Sequence, residues 1–142
     1  MSTSAKKPIV LVVEDEPLIR VSAALMVEDA GYIALEARHA DEAIAILRTR
    51  NDIAAVFTDI NMSGTMDGWN LARAIRMRWP SIHLIMTSGL ALPSDSNLPD
   101  NSLFLPKPYG EHQLVAALRA LFAPAEIVDE GYGHLHDHRI VI

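Results

Sequence analysis

Cysteine is absent from the sequence, which excludes both a disulfide framework and a thiolate metal site. Basic residues are also scarce: 12 lysines and arginines face 18 aspartates and glutamates, so the net charge is −6 and a general nucleic-acid-binding surface is not expected. No apolar run approaches the ~20 residues of a membrane helix, and residues 1–7 lack the apolar stretch of a signal peptide. We therefore expect a cytoplasmic protein with neither nucleic acid nor membrane as a partner.

The sequence does contain an alternation of short β-branched runs and longer segments with helical periodicity. In a chain of 142 residues, half of them hydrophobic, this pattern predicts one α/β domain with a parallel sheet covered by helices on both faces. The predicted strands are residues 9–13, 32–36, 53–58, 82–86 and 102–105. The predicted helices are residues 17–30, with Leu18, Val21 and Leu25 on one face, and residues 40–49, 69–78 and 111–122.

The same pattern predicts where the domain begins and ends. Residues 1–7 are expected to be a flexible N-terminus, residues 8–123 the domain, and residues 124–142 a C-terminal tail that is poorly ordered or docked only locally. Between the fourth and fifth strands, residues 89–99 contain two prolines, two serines, an aspartate and an asparagine. We therefore expect the fourth helix of the fold to be short or irregular.

Polar side chains gather where the predicted strands end. In open parallel α/β sheets, ligands bind beyond the carboxyl ends of the strands, so these side chains are candidates for a site. They are Glu14, Asp15 and Glu16 after the first strand, Asp59 after the third, Thr87 and Ser88 after the fourth, and Lys107 after the fifth. Solvation alone does not explain why four apolar strands all end this way.

The chemistry of these side chains suits phosphoryl transfer. Clustered carboxylates repel unless a cation neutralises them, and Mg²⁺ prefers carboxylate, carbonyl and water oxygens. The Asp59 carboxylate can also act as a nucleophile toward phosphorus, while the Lys107 ammonium and the Thr87 hydroxyl would contact the phosphoryl oxygens. Because X-Pro bonds tolerate cis geometry, the bond before Pro108 is a candidate cis peptide that would aim the lysine inward.

Five motifs together resemble the receiver domains of bacterial two-component response regulators. They are VVEDE at 12–16, TDINM at 58–62, MDG at 66–68, MTSG at 86–89 and LPKP at 105–108. The resemblance covers about residues 8–122, and five motifs in order and spacing are far more specific than any one of them. It implies a flavodoxin-like, doubly wound sheet of five parallel strands in the order 2-1-3-4-5.

The resemblance also implies a role for each matching residue. Asp59 would be the phospho-acceptor, phosphorylated by a histidine kinase or a histidine phosphotransfer protein. Four ligands to Mg²⁺ are implied, namely the carboxylates of Glu14, Asp15 and Asp59 and the backbone carbonyl of Asn61. The residues implied to bind the phosphoryl group or to switch with it are Thr87, Ser88, Lys107 and Phe104, the last turning inward on phosphorylation.

Three positions depart from the family pattern. The loop after Asp59 lacks the usual proline and is one residue longer, which costs little. Phe104 stands where a tyrosine is commoner, so it has no hydroxyl to mark its rotamer, and a plain core aromatic is its alternative interpretation. The irregular segment 89–99 stands where the family has its fourth helix, so the usual output surface of fourth helix, fifth strand and fifth helix is not implied for this chain. Apart from these departures, Gly89, two residues after Thr87, offers no side chain to shield the site, so we expect a short phosphoryl lifetime.

The first functional hypothesis is a stand-alone response regulator without an effector domain. It would be a monomer or weak homodimer that switches a surface for an unknown downstream protein, and it would not be an enzyme beyond its own dephosphorylation. The alternatives are a Mg²⁺-dependent phosphatase with an aspartyl nucleophile, although Asn61 stands where such enzymes have a second acid, and a binding module that works without phosphorylation.

In the tail, His134, His136 and His138 could hold a transition metal or belong to a solvated segment.

Overall fold

The computed structural model describes residues 6–62, 66–90, 98–122 and 139–141, the last of these for the backbone alone. Strands and helices alternate along these ranges. The strands are β1 Ile9–Val13, β2 Ile33–Ala37, β3 Ile53–Asp59, β4 His83–Ser88, β5 Ser102–Pro106 and β6 Arg139–Val141. The helices are α1 Pro17–Asp29, α2 Ala40–Thr49, α3 Gly68–Arg78 and α4 Glu111–Phe122.

The strands form a single parallel sheet in the order β2-β1-β3-β4-β5-β6. The predicted order 2-1-3-4-5 is therefore confirmed, as is the α/β class. The strand order changes direction at β1, because β2 lies on one side of β1 and β3 lies on the other. In doubly wound sheets this reversal creates a crevice at the carboxyl ends of the strands.

A sixth strand, β6, was not among the five predicted. Its backbone pairs in parallel with β5, from Ser102 opposite Arg139 to Phe104 opposite Val141. An edge strand presents unpaired N–H and C=O groups, and a short β-branched segment of the same chain satisfies them. The expectation of a tail that is poorly ordered or docked only locally stays a prediction; residues 123–138, with their three histidines, lie outside the described ranges.

Alternation along the strands builds two apolar layers. In β1, Leu11 and Val13 belong to the cluster packed under α2 and α3, whereas Val10 and Val12 belong to the cluster packed under α1 and α4. Successive strand side chains point to opposite faces, and a parallel sheet covered on both sides needs apolar residues on each. The nearly uninterrupted apolar sequence of β1 follows from this double burial.

The apolar face of α1 points away from this core. Leu18 and Leu25, which support the helical periodicity, are 83% and 55% exposed. The residues of α1 that pack on the sheet are Ala23, Ala24 and Val27. Alanines allow the helix to lie close to the strands, so the larger side chains are left on the outer face.

Two predicted irregular segments are described only in part. Of residues 89–99, positions 91–97 lie outside the described residues, and the positions on either side are not helical. A short or irregular helix within residues 89–99 therefore stays a prediction. Helix α4 is not that helix; it corresponds to the last predicted helix, at residues 111–122. Residues 1–5 and 63–65 also lie outside. Among the helices that the described ranges contain, none has the length and apolar character needed to span a bilayer.

Candidate functional site at the carboxyl ends of the strands

The strand register brings the predicted site residues to one edge of the sheet. Asp59, the last residue of β3, lies directly opposite Thr87 of β4. Backbone hydrogen bonds continue past the strand ends, from the Ile60 N–H to the Thr87 carbonyl at 2.8 Å and from the Lys107 N–H to the Ser88 carbonyl at 2.9 Å. The loops that carry the polar side chains are therefore held by the sheet itself.

Asp59, Glu14 and Lys107 form a buried network of charges. The Lys107 Nζ donates to Asp59 Oδ2 at 2.7 Å and approaches Glu14 Oε1 at 3.4 Å. Asp59 and Glu14 are 5% and 4% exposed, so both carboxylates are largely withdrawn from water. A buried carboxylate needs a partner, and here one ammonium serves two of them. The sequence prediction that these three groups converge is correct.

Burial and mutual repulsion shift the pKa values of this network. Burial raises the pKa of Glu14 above 4.5, and the negative charge of Asp59 adds to this; the hydrogen bond from the Glu16 N–H and the charge of Lys107 act in the opposite direction without cancelling it. Burial tends to lower the pKa of Lys107, but its hydrogen bond and charge interaction with Asp59, helped by Glu14, outweigh this and raise it above 10.5. The lysine is thus fully charged at neutral pH.

The second oxygen of Asp59 is also held. Asp59 Oδ1 accepts a hydrogen bond of 3.0 Å from the Asn61 N–H, so the backbone after the strand curls back over the carboxylate. The side-chain amide of Asn61 in turn donates to Ser88 Oγ at 2.9 Å, and Ser88 Oγ also accepts from the Leu90 N–H at 3.0 Å. These bonds connect the loop after β3 with the loop after β4 across the site.

Thr87 provides a polar atom that the described protein leaves unsatisfied. The side chain is 3% exposed, and its Oγ1 has no hydrogen-bond partner among the described residues. A buried hydroxyl without a partner costs of the order of 1–3 kcal/mol, so such groups in native proteins need an explanation. A ligand with acceptor oxygens on the neighbouring Asp59 would supply the missing partner.

Asp15 and Asn61 complete the residues predicted to bind Mg²⁺. Asp15 is half-buried and forms a side-chain hydrogen bond with Glu14. In the described part of the chain, no three acidic or histidine side chains are arranged around a common point for a metal ion; the two buried carboxylates face the ammonium of Lys107 instead. The donor types, carboxylates and a backbone carbonyl, fit Mg²⁺.

Two further predicted residues flank this network. The Lys107–Pro108 peptide bond is cis. Phe104, in the middle of β5, is 4% exposed and packs in the apolar cluster under α2 and α3. Because its ring is already buried, the inward rotation expected on phosphorylation is not available from this conformation, and a switching role for Phe104 stays a prediction.

Tyr109 was not predicted to belong to the site. Its ring makes an edge-on contact with Phe57 at 5.4 Å between centroids, and it lines a small space beside Glu14, Asp59 and Thr87. Burial, followed by the negative charges of Glu14 and Asp59, raises the pKa of Tyr109 to about 12. The phenol therefore remains a neutral hydroxyl beside the acids. Its position two residues after the lysine is the only signal that the sequence carries.

Two more residues that the sequence reasoning missed act through the backbone. Gly68, at the start of α3, lies so close to Asp59 that an added Cβ would be 2.2 Å from the Asp59 carbonyl oxygen. Arg20, at the end of the first turn of α1, donates a hydrogen bond of 3.0 Å to the Glu14 carbonyl. Gly68 is the last residue of the MDG motif at 66–68, so the sequence does indicate its importance. No residue near Arg20 in the sequence distinguishes it from a solvated helix residue.

An apolar groove of about 590 Å³ opens beside the network. One wall is the outward face of α1, and the other is the loop that carries Lys107. Its lining residues are Leu18, Ile19, Ser22, Met26, Gly89, Lys107, Pro108 and Tyr109. The exposed leucine of α1 is thus part of a surface that reaches the buried charges.

Comparison with known proteins agrees with this geometry. The chain is 34% identical over 116 residues to the sensor kinase CckA of Brucella abortus (strain 2308), covering 79% of this chain and 12% of that protein. It is 38% identical over 81 residues to the nitrogen assimilation regulatory protein NtrX of Azorhizobium caulinodans, covering 56% of this chain and 18% of that protein. The chain spans less than a fifth of either curated relative.

A solved structure matches over almost its whole length. The response regulator receiver protein of Sinorhizobium medicae WSM419 superposes with a TM-score of 0.74 at 29% identity, covering 83% of this chain and 96% of that one. A sequence model of the response regulator receiver domain matches residues 10–119, which include the whole charge network and all five predicted motifs. The chain therefore belongs to the family of response regulator receiver domains.

Proposed function

We propose that this receiver domain accepts a phosphoryl group on Asp59 from a histidine kinase or a histidine phosphotransfer protein, in a reaction that depends on Mg²⁺. The observation that carries the proposal is the pairing of Asp59 with Lys107 at 2.7 Å beside the unpartnered hydroxyl of Thr87. A nucleophile, a cation and a spare hydrogen-bond donor therefore meet at one strand end, which is the set that phosphoryl transfer to a carboxylate needs.

In the proposed transfer, an oxygen of Asp59 forms a bond to phosphorus as the P–N bond to the donor imidazole breaks. The electron pair of that bond leaves on the imidazole nitrogen, which takes up a proton. The Lys107 ammonium, which contacts Asp59 Oδ2, would donate a hydrogen bond to one phosphoryl oxygen. The Thr87 hydroxyl would donate a hydrogen bond to another. These two contacts counter the roughly −1.5 to −2 of charge that the modification adds.

The residues that would hold Mg²⁺ are Glu14, Asp15 and Asp59, together with the carbonyl of Asn61. When bound, the ion supplies charge neutralisation at the phosphoryl oxygens and at the crowded carboxylates. Burial, and then the negative charge of Asp59, raises the pKa of Glu14, so a cation beside it would stabilise its charged form.

We infer that the phosphorylated form hydrolyses itself and that the protein does not turn over other phosphate esters. Within the described residues, a Cβ added at Gly89 would meet no atom within 4 Å, so none of them shields the side of the site next to Thr87 from water. The Asn61 amide, which stands where a phosphatase would have a second acid, is tied to Ser88. A lifetime of many hours would contradict the first inference, and hydrolysis of a generic phosphate ester the second.

The donor protein would dock on the apolar groove beside α1. The exposed face of α1 lines a groove together with Lys107, and Lys107 contacts Asp59 at 2.7 Å. An apolar surface next to a reactive group favours a protein donor over a small metabolite. The downstream partner is a protein that distinguishes the phosphorylated from the unphosphorylated surface.

The proposal is tested by incubation with acetyl phosphate or phosphoramidate in the presence of Mg²⁺, followed by intact-protein mass spectrometry. We expect the mass of one phosphoryl group on the wild type and none on Asp59→Asn. Asp67→Asn is the matched control, because Asp67 is an exposed aspartate that caps α3 and asparagine caps equally well. No phosphorylation of the wild type in either reagent, or equal phosphorylation of Asp59→Asn, would refute the assignment.

A further inference from the structure

The guanidinium of Arg20 joins three elements behind the acidic site. From α1, its Nη1 donates to the carbonyl oxygen of Glu14, just after β1, at 3.0 Å. Its Nε donates to Glu36 Oε1 of β2 at 3.1 Å. The Arg20 side chain is only 14% exposed, compared with 41% for Glu36, so the arginine lies inside this junction and not on its surface.

The carbonyl that Arg20 contacts belongs to the peptide between Glu14 and Asp15. A peptide unit is planar, so fixing this oxygen also fixes the orientation of the amide that leads into Asp15. On either side of it, the Glu14 N–H donates to the Ala37 carbonyl at 3.1 Å, and Glu14 Oε2 accepts from the Glu16 N–H at 3.1 Å. Arg20 thus closes a set of bonds that holds the backbone from which both acidic side chains extend.

Arginine suits this task better than lysine. Its planar fork offers several N–H donors in fixed directions, so one side chain can hold a carbonyl and a carboxylate together. A lysine would keep the positive charge, but as a single point on a flexible stem. The charge and the geometry of Arg20 can therefore be separated by substitution.

We propose that Arg20 is a positioning residue for the divalent ion, anchored by Glu36. It holds the Glu14–Asp15 peptide, and with it the backbone that carries both carboxylates, without itself touching the ion. This inference rests on the proposed Mg²⁺-dependent function. It adds to that function a residue outside the site on which the affinity for the ion depends.

The test is a calorimetric Mg²⁺ titration of unphosphorylated wild type, Arg20→Lys and Glu36→Ala. Loss of residues that orient metal ligands typically lowers affinity by ten- to a hundredfold, so we expect roughly a tenfold weaker Mg²⁺ affinity in Arg20→Lys. Glu36→Ala, which keeps the carbonyl contact but loses the anchor, should show a smaller loss in the same direction. Arg50→Lys is the matched control, since Arg50 binds Asp52 at 2.9 Å in an exposed pair.

A second readout separates positioning from mere stability. In Arg20→Lys without Mg²⁺, the Glu16 amide should exchange with deuterium faster, because its acceptor Glu14 is no longer held. At saturating Mg²⁺ the phosphorylation rate with acetyl phosphate should return to the wild-type value. A role confined to stability would instead lower the unfolding temperature and leave both the Mg²⁺ affinity and the local exchange unchanged.

The outcomes distinguish this inference from the proposed function. If wild type binds Mg²⁺ and both Arg20→Lys and Glu36→Ala bind it equally well, the positioning role is wrong and the function stands. If Arg50→Lys loses as much affinity as Arg20→Lys, the effect is not specific and the role is likewise wrong. If wild type itself binds no Mg²⁺, the Mg²⁺-dependent function fails, and the inference fails with it. Should Arg20→Lys not fold, Glu36→Ala decides the result.

Discussion

Substitution of Gly68 by alanine is expected to damage both stability and phosphorylation. An added Cβ would lie 2.2 Å from the carbonyl oxygen of Asp59 and 2.6 Å from the Cα of Ile60, whereas ordinary contacts begin at 3.4 Å. Both neighbours are backbone atoms, so relief requires the start of α3 to move by about 1 Å relative to β3. The Gly68 N–H also donates to the Ile60 carbonyl at 2.9 Å, and this bond resists the movement.

The magnitude can be worked out from two opposing effects. Overpacking of this kind costs typically 1–3 kcal/mol, and an immovable backbone neighbour places Gly68→Ala near ~3 kcal/mol. Alanine is favoured over glycine in a helix by up to about 1 kcal/mol. The net loss in unfolding free energy is then about 2 kcal/mol. For a domain of this size that corresponds to a fall in Tm of roughly 6 °C.

Phosphorylation should suffer more than stability does. A misplacement of about 1 Å near a reacting group can cost on the order of a hundredfold in rate. Moving the Asp59 backbone by that amount displaces its carboxylate from Lys107. Thermal unfolding by circular dichroism and phosphorylation by acetyl phosphate, followed by mass spectrometry, would measure the two effects on the same preparation.

Gly89→Ala is the matched control for this experiment. Among the residues that the structure describes, a Cβ at Gly89 meets nothing within 4 Å, so the same chemical change should leave Tm nearly unaltered. If Gly68→Ala kept the wild-type Tm and rate, or if Gly89→Ala lost as much as Gly68→Ala, the close approach of α3 to Asp59 would not be what requires glycine.

Two further predictions concern charge and docking. The pKa of Glu14 is raised in the folded protein, so its contribution to stability is present below pH 4.5 and is lost as the pH rises through the folded pKa. At pH 7 without Mg²⁺, Glu14→Gln should therefore unfold at a higher temperature than the wild type. The difference in unfolding temperature should vanish near pH 4. A less stable variant at pH 7 would contradict this. Leu18→Asp should slow transfer from a phosphotransfer protein at least several-fold and leave phosphorylation by acetyl phosphate unchanged, whereas Met77→Asp, at the same 83% exposure on α3, should affect neither. Equal transfer rates in the two variants would exclude the α1 groove as the docking surface.

The residues at the strand ends could be assigned to one site from the sequence alone. The acidic, hydroxyl and lysine residues after β1, β3, β4 and β5 could be assigned to one edge because parallel strands place their carboxyl ends together. The contact between Lys107 and Asp59 follows from that rule, although the two residues are 48 positions apart in the chain. The rule does not predict that the carboxylates of Glu14 and Asp59 both contact the ammonium of Lys107.

Helix α1 shows where periodicity misleads. Leu18, Val21 and Leu25 recur at helical spacing and identify a helix, but spacing does not say which face is buried. Alanines pack closer to a sheet than leucines do, and this places Ala23, Ala24 and Val27 inside. The exposed leucines then become available for a partner, which sequence alone would not indicate.

The amino-acid sequence by itself determined the α/β class, the order of the elements and the identities of the reactive side chains, because these depend on periodicity and on residue type along one segment at a time. The tertiary structure alone decided that Arg20 reaches the Glu14 carbonyl, that Gly68 must lack a side chain beside Asp59, and that a strand at residues 139–141 pairs with β5. Each of these depends on distances of a few ångströms between segments far apart in the chain, and no local pattern records such distances.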